Sequence, residues 1–255
     1  MFHAFFQSGP DSKPVGGSWA SERWVGFFLA VFGYGLYFPL SMVVETLDPV
    51  DVSTSLDAAI PLVPEWILIY AGIYPAAFLP LVVVKDPMIF RRMIAGYLCL
   101  ELTALLVFVL FPVHMTLRPP LESLSETGFF PWAVQLCYWL DRPVNCFPSL
   151  HVAAATFSAL CALRVDPLVG RISSGVAILI ALSTLFVKQH FIADVLFGGG
   201  IAAFWFLLWI RGAQPLGEGP LAYPRKLTRI PAAMFAVVVG MIYVAYSTGW
   251  MPWAS

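Results

Sequence analysis

The chain has 255 residues, of which 60% are hydrophobic and only 11% charged, and its mean hydropathy is +0.82. Water-soluble domains carry charge on about a quarter of their residues, so this composition excludes an ordinary soluble fold and points to a chain whose solvent is largely lipid. A net charge of −1, with no basic stripe interleaved with aromatics, argues against nucleic acid as a partner, and no pattern marks an obligate protein partner.

Residues 1–23 read as a polar cytoplasmic tail, and residues 24–255 as one transmembrane domain. The first apolar run is too long for a cleaved signal and is expected to stay as an anchor. Seven apolar segments follow in order: Trp24–Val44, Glu65–Val84, Arg92–Phe111, Pro148–Leu163, Ile172–Val187, Val195–Ile210 and Ile230–Tyr246. A hydrocarbon core of ~30 Å needs about 20 residues of helix, and backbone groups in lipid must bond internally, so the expected fold is all-α, a polytopic helix bundle. Phe129–Leu140 is shorter and is expected to lie along the membrane surface.

Charge gives the expected orientation. An odd number of spans puts eleven cations, Lys13 and Arg225 among them, on one face and leaves only Arg118, Arg142 and Lys188 on the other. The cation-rich face should be cytoplasmic, with the N-terminus inside and the opposite face periplasmic or lumenal. That opposite face carries nine carboxylates, among them Asp57, Glu65, Glu126, Asp141 and Asp194.

Both chemistry-bearing motifs fall there. Pro148-Ser149-Leu150-His151 opens the fourth span, and a helix start leaves free N–H groups and a positive dipole end that attract anions. Lys188-Gln189-His190 and Asp194 lie between the fifth and sixth spans. His190 and Asp194 are four residues apart and share a helix face, where a carboxylate fixes the imidazole tautomer and strengthens its nucleophilic nitrogen. A lone histidine at a membrane edge is most often an interfacial side chain. Two histidines, an aspartate, a serine and scarce cations at one depth point to a site.

These residues resemble the second and third signatures of the type 2 phosphatidic acid phosphatase superfamily: Pro148-Ser149-x-His151, then Ser183-x6-His190-x3-Asp194. The resemblance covers residues 112–210 and implies a six-helix core, to which the seventh span is an addition, and an enzyme needing no metal or other cofactor. It implies His190 as the nucleophile that forms a phosphohistidine, Asp194 as its orienter, His151 as general acid and Ser149 as a phosphate ligand. The first signature is incomplete. Arg118-Pro119 supplies its second half, but Phe111 stands where the family has Lys; Arg142-Pro143 is a rival, with Gln135 at that place. Arg118 is preferred because it directly follows the third span. Thr184 replaces the usual Arg of the third signature, and Lys188, four residues on, is the expected substitute cation.

The incomplete signatures are similar to the inositol phosphorylceramide synthase and sphingomyelin synthase branch, which implies a phosphotransferase moving a head-group from a membrane lipid to an alcohol. A lipid phosphatase or pyrophosphatase using water is the alternative, and a non-catalytic lipid-binding or transport protein a third reading. Cys137 and Cys146 share one extramembrane stretch and read either as two partly buried thiols or as a disulfide. Glu101, midway along the third span, is expected to make a structural hydrogen bond. The prolines of residues 60–64 read as an ordinary helix entry or as a rim over the site. His3 and His114 are expected to be ordinary polar residues.

Overall fold

The computed structural model describes Pro14, residues 17–124 and residues 128–254. His3, Lys13 and Glu126 lie outside the described residues, as does the side chain of Glu122. Eleven α-helices are used below: α1 (Trp19–Gly35), α2 (Tyr37–Val44), α3 (Ser55–Ala59), α4 (Ile67–Ala71), α5 (Ile73–Val83), α6 (Pro87–Leu110), α7 (Phe129–Leu140), α8 (Leu150–Val165), α9 (Pro167–Phe186), α10 (Ile192–Trp209) and α11 (Arg229–Ser247). No strand forms among the described residues.

Six of the helical stretches are long and apolar enough to cross a membrane: Trp19–Val44, Pro64–Val83, Pro87–Leu110, Pro167–Phe186, Ile192–Trp209 and Arg225–Ser247. The fourth expected span, Pro148–Leu163, is the shorter apolar helix α8. Large apolar side chains such as Phe28, Phe32, Leu106, Ile172, Leu196 and Phe204 are exposed along these helices, as they are where the surrounding solvent is hydrocarbon.

The helix starts explain where the structure departs from the spans read by hydropathy. The third span begins at Pro87 rather than Arg92, because Asp86 caps it, accepting from the N–H groups of Met88 and Ile89 at 2.9 Å each. The early start carries Arg91 into the bundle, where it forms a buried ion pair with Glu22 of α1 at 2.6 Å. Asp166 likewise caps α9 ahead of Pro167. The second span is broken at Gly72 into α4 and α5. Pro75 has no N–H for the Ala71 carbonyl, so the ladder is interrupted where α4 ends.

Helix α8 sits at the centre, packed against α5, α6, α9 and α10. It can do so because its buried faces are largely small: Ala153, Ala154, Ala155, Ala159 and Ala162 are all buried. Gly198 brings α10 against its N-terminus; a Cβ there would stand 2.5 Å from the Ser149 carbonyl oxygen. The bundle alternates direction, so the start of α8, the end of α9, the start of α10 and the end of α6 share one end of the molecule. Helix α7 closes that end, packing on α11 with Trp132 Nε1 donating to the Trp250 carbonyl at 3.0 Å.

Glu101 does not make the hydrogen bond expected of it through Oε2, which has no partner among the described residues. The carboxylate is buried against α1 in the niche left by the missing side chain of Gly33.

Candidate active site

The site lies at the shared end of α8, α9 and α10. Ser149 caps α8, its hydroxyl oxygen accepting from the Val152 N–H at 3.2 Å, and its own N–H donates to the Asp194 carbonyl at 3.0 Å. That backbone bond ties the start of α8 to the first turn of α10 and sets His151 beside His190. The rings are 5.4 Å apart between centroids, and His151 Nδ1 lies 3.2 Å from His190 Nε2.

The partners of each ring nitrogen dictate where the protons sit. His190 Nδ1 is 3.0 Å from the Cys146 carbonyl, which can only accept, so Nδ1 carries the proton. Asp194 Oδ2 lies 3.4 Å from the same nitrogen and accepts the Phe191 N–H at 2.8 Å. The lone pair of His190 is therefore on Nε2, facing His151. The second nitrogen of His151, Nε2, meets the hydroxyl of Tyr70 at 2.9 Å. His151, His190 and Asp194 are each less than a tenth exposed.

Arg118 reaches in from the loop after α6. Its Nη1 donates to the Asp141 carbonyl at 2.7 Å, its Nη2 donates to Gln189, and its guanidinium lies over the Tyr138 ring at 4.4 Å. Its Nε–H is buried and has no partner among the described residues. Burial pushes the Asp141 carboxyl up from its ordinary range, while Arg118, the 2.7 Å hydrogen bond from Tyr37 and His190 pull it back down.

Two of the residues singled out in the sequence are held elsewhere. Lys188 adopts a left-handed backbone (φ 51°), and its ammonium donates to the carbonyls of Asp57, at 3.0 Å, and Ile60. It pins α3 and the proline-containing segment after it to the site loop. Asp57 completes the tie by accepting the Ile192 N–H at 2.7 Å. Arg142 points to the surface and pairs with Glu45, both side chains being nearly half exposed. Among the expected cations only Arg118 sits beside the histidine pair, because its loop is anchored on both Asp141 and Gln189. His114 meets the Val44 carbonyl at 3.3 Å.

Sequence reasoning passed over Tyr70, and did not place Asp57 or Cys146 in the site. Tyr70 sits in an apolar run, where a tyrosine reads as an interfacial aromatic, and the Cys146 contribution is a main-chain carbonyl that no residue type announces. Cys137 and Cys146 are both free thiols. Cys137 accepts a hydrogen bond from Gln189 Nε2 at 2.9 Å, and burial pushes its thiol up to about 12. No group of three or more His, Cys, Asp or Glu side chains suited to a metal ion occurs among the described residues.

A search of curated proteins finds no match for the chain. A family model described as the PAP2 superfamily matches residues 65–208, more than half of the sequence, and the matched segment contains α4, both histidines, Asp194 and Arg118. With a polytopic helical bundle that gathers the motif residues at one end, the chain belongs to the PAP2 superfamily, which points to an activity of the lipid phosphatase or phosphotransferase type.

Proposed function

We propose that the protein is a metal-independent phosphotransferase that moves the phospho-head-group of a membrane lipid to an alcohol acceptor through a phosphohistidine on His190. The observation that carries this reading is the 3.2 Å approach of His151 Nδ1 to the lone pair of His190 Nε2. The substrate phosphorus enters between the rings. His190 Nε2 forms a bond to it as the bond to the leaving oxygen breaks, and His151 gives that oxygen a proton from Nδ1. Nδ1–H of His190, held by the Cys146 carbonyl and Asp194, carries the positive charge that develops. In the second half His151 takes the proton of the acceptor hydroxyl, whose oxygen attacks phosphorus and releases His190.

Arg118 and the N–H groups of the first turn of α8, where Ser149 sits, stabilise the phosphoryl oxygens. The charge count favours transfer of a phosphodiester. One guanidinium faces the pair, while Lys188 and Arg142 are committed to other groups. A single cation suits a diester bearing one negative charge better than a monoester bearing nearly two. The charge bias of the sequence supports an N-terminus in the cytoplasm and a site at the periplasmic or lumenal face.

Hydrolysis of the same phosphohistidine by water is the second reading, favoured by the match to a superfamily that includes phosphatases. Purified protein in liposomes containing a fluorescent phospholipid separates the two. A labelled product that appears only with an alcohol acceptor supports the transferase, and acceptor-independent release of phosphate supports the phosphatase. Lipid binding without turnover in the wild type would overturn both and leave a lipid-binding protein. Comparing lipids of cells with and without the gene by mass spectrometry identifies donor and product.

A further inference from the structure

We infer that a groove running away from the histidines between α5, α9 and α11 holds a hydrocarbon tail of the substrate lipid and selects tails long enough to cross the membrane midplane. The inference rests on the reading that the substrate phosphorus sits between His151 and His190. The groove is a cavity of about 450 Å³, a volume ordinary for ligand sites. Its floor continues the His151 face of α8. Ala155, Ser158 and Ala159 follow His151 at the spacing that keeps side chains on one helix face, and all three line the groove. Because they are small, the free space begins one turn from the His151 ring. On α4, Leu68 and Ile69 line the same end and lead directly into Tyr70, which meets His151.

The lining offers little to a polar ligand. Helix α9 turns Ile172, Val176 and Leu179 into the groove. The three hydroxyls there are committed within the protein: Ser173 donates to the Val169 carbonyl at 2.7 Å, Thr228 donates to the Arg225 carbonyl at 2.8 Å, and Ser158 bonds with Tyr97. Surrounding lipid is as apolar as this lining, so what the groove adds is van der Waals fit, which depends on the length of the tail. Along α9 the groove runs from Ile180 to Val169, ~9 Å and ~26 Å from the helix end beside the site at about 1.5 Å per residue. The middle of a ~30 Å hydrocarbon core lies at ~15 Å. A tail whose head-group is held at the histidines therefore crosses the midplane to fill the far half. Helix α11 walls that half through Thr228, Pro231, Ala232 and Phe235, and it lies outside the segment matched by the family model.

Photo-labelling in phosphatidylcholine liposomes tests the groove without turnover. The probes are phosphatidylcholines with a diazirine either beside the ester or at the end of one eighteen-carbon tail. The ester-side probe should label Leu68, Ile69 and Leu179, and the tail-end probe Ser173 and Phe235, each more strongly than the exposed Leu196 and Phe204 of α10. The reverse order would mean a lipid entering from the opposite leaflet, and label no stronger than on α10 would mean ordinary surrounding lipid; either overturns the proposal. An Ala232→Cys variant that forms a disulfide-linked dimer in the same liposomes would give the groove to a second copy and overturn it too. In the lipid assay, Ala232→Trp and Ser173→Phe should each lower the ratio of kcat/KM for an eighteen-carbon donor over an eight-carbon donor by about fivefold or more. A folded variant with an unchanged ratio overturns the selection. The expected labelling in a wild-type protein without turnover would keep the tail site and remove the enzymatic reading.

Discussion

The Cys146 main-chain carbonyl accepts the Nδ1 proton of His190 at 3.0 Å, while the Asp194 carboxylate stands slightly farther off, at 3.4 Å, on the same nitrogen. The tautomer of His190 is thus held by the backbone, and the carboxylate is placed to answer charge that appears only when Nε2 has bonded to phosphorus.

That division separates two substitutions. His190→Ala should abolish turnover without loss of fold, since the ring sits in the loop before α10 and its closest contacts are the polar ones to His151, Asp194 and the Cys146 carbonyl. Asp194→Asn should retain the tautomer yet lower kcat by about 10²-fold, through lost stabilisation of the cationic intermediate. Single-turnover assays with thermal melts check both; full turnover by His190→Ala would remove it from the mechanism.

Arg118 and Lys188 should behave differently. Arg118→Lys keeps the charge but loses the Nε–H and the forked contact to Asp141 and Gln189, so kcat/KM should fall by about tenfold or more. Lys188→Met removes the clamp on the Asp57 and Ile60 carbonyls, so its main effect should be faster proteolysis of residues 46–63. Steady-state kinetics and limited proteolysis distinguish the two; a kcat loss in Lys188→Met with an unchanged digest would return a phosphate-binding role to this lysine.

At the opposite end of the bundle, Arg91 and Glu22 are almost fully buried as a pair. Arg91→Ala leaves a carboxylate in a low-dielectric interior and should cost about 3–5 kcal/mol, whereas replacing both partners by apolar residues of similar volume should cost far less. Melting temperatures in one detergent measure the difference, and equal losses in the single and double variants would contradict it.

Asp166 caps α9 and is held below the usual carboxylate range by its hydrogen bond from Arg225, at 2.7 Å. A depressed carboxyl stabilises the fold above its unfolded pKa, near 3.9, and that contribution disappears as pH falls through the folded value. Asp166→Asn retains a cap but loses the ion pair. It should melt lower than the wild type at pH 7, and the gap should close as pH falls through the depressed pKa of the folded state. A gap independent of pH would show that charge is not the cause.

Chelation should leave activity intact, because the proposed chemistry runs through two imidazoles and one guanidinium. Loss of turnover in EDTA that magnesium restores would contradict the mechanism.

Much of the architecture was legible in the sequence, because the bilayer imposes one rule on every span: a continuous apolar helix of fixed length. The apolar segments and the placing of His151 and His190 at one end follow from that rule. The ends of the spans were less legible. Asp86 and Asp166 start their helices with a cap rather than with hydropathy, and Arg91 enters the bundle because Glu22 is there to meet it. Spacing along a helix likewise pairs His190 with Asp194, and equally well makes Lys188 a candidate cation. Which cation faces the histidines, what fills the far side of His151 and which atom carries each proton were decided by tertiary structure alone. Those are contacts between residues as far apart in sequence as Tyr70 and His151, or Arg118 and Gln189, and one partner at His190 is a peptide carbonyl common to all residues.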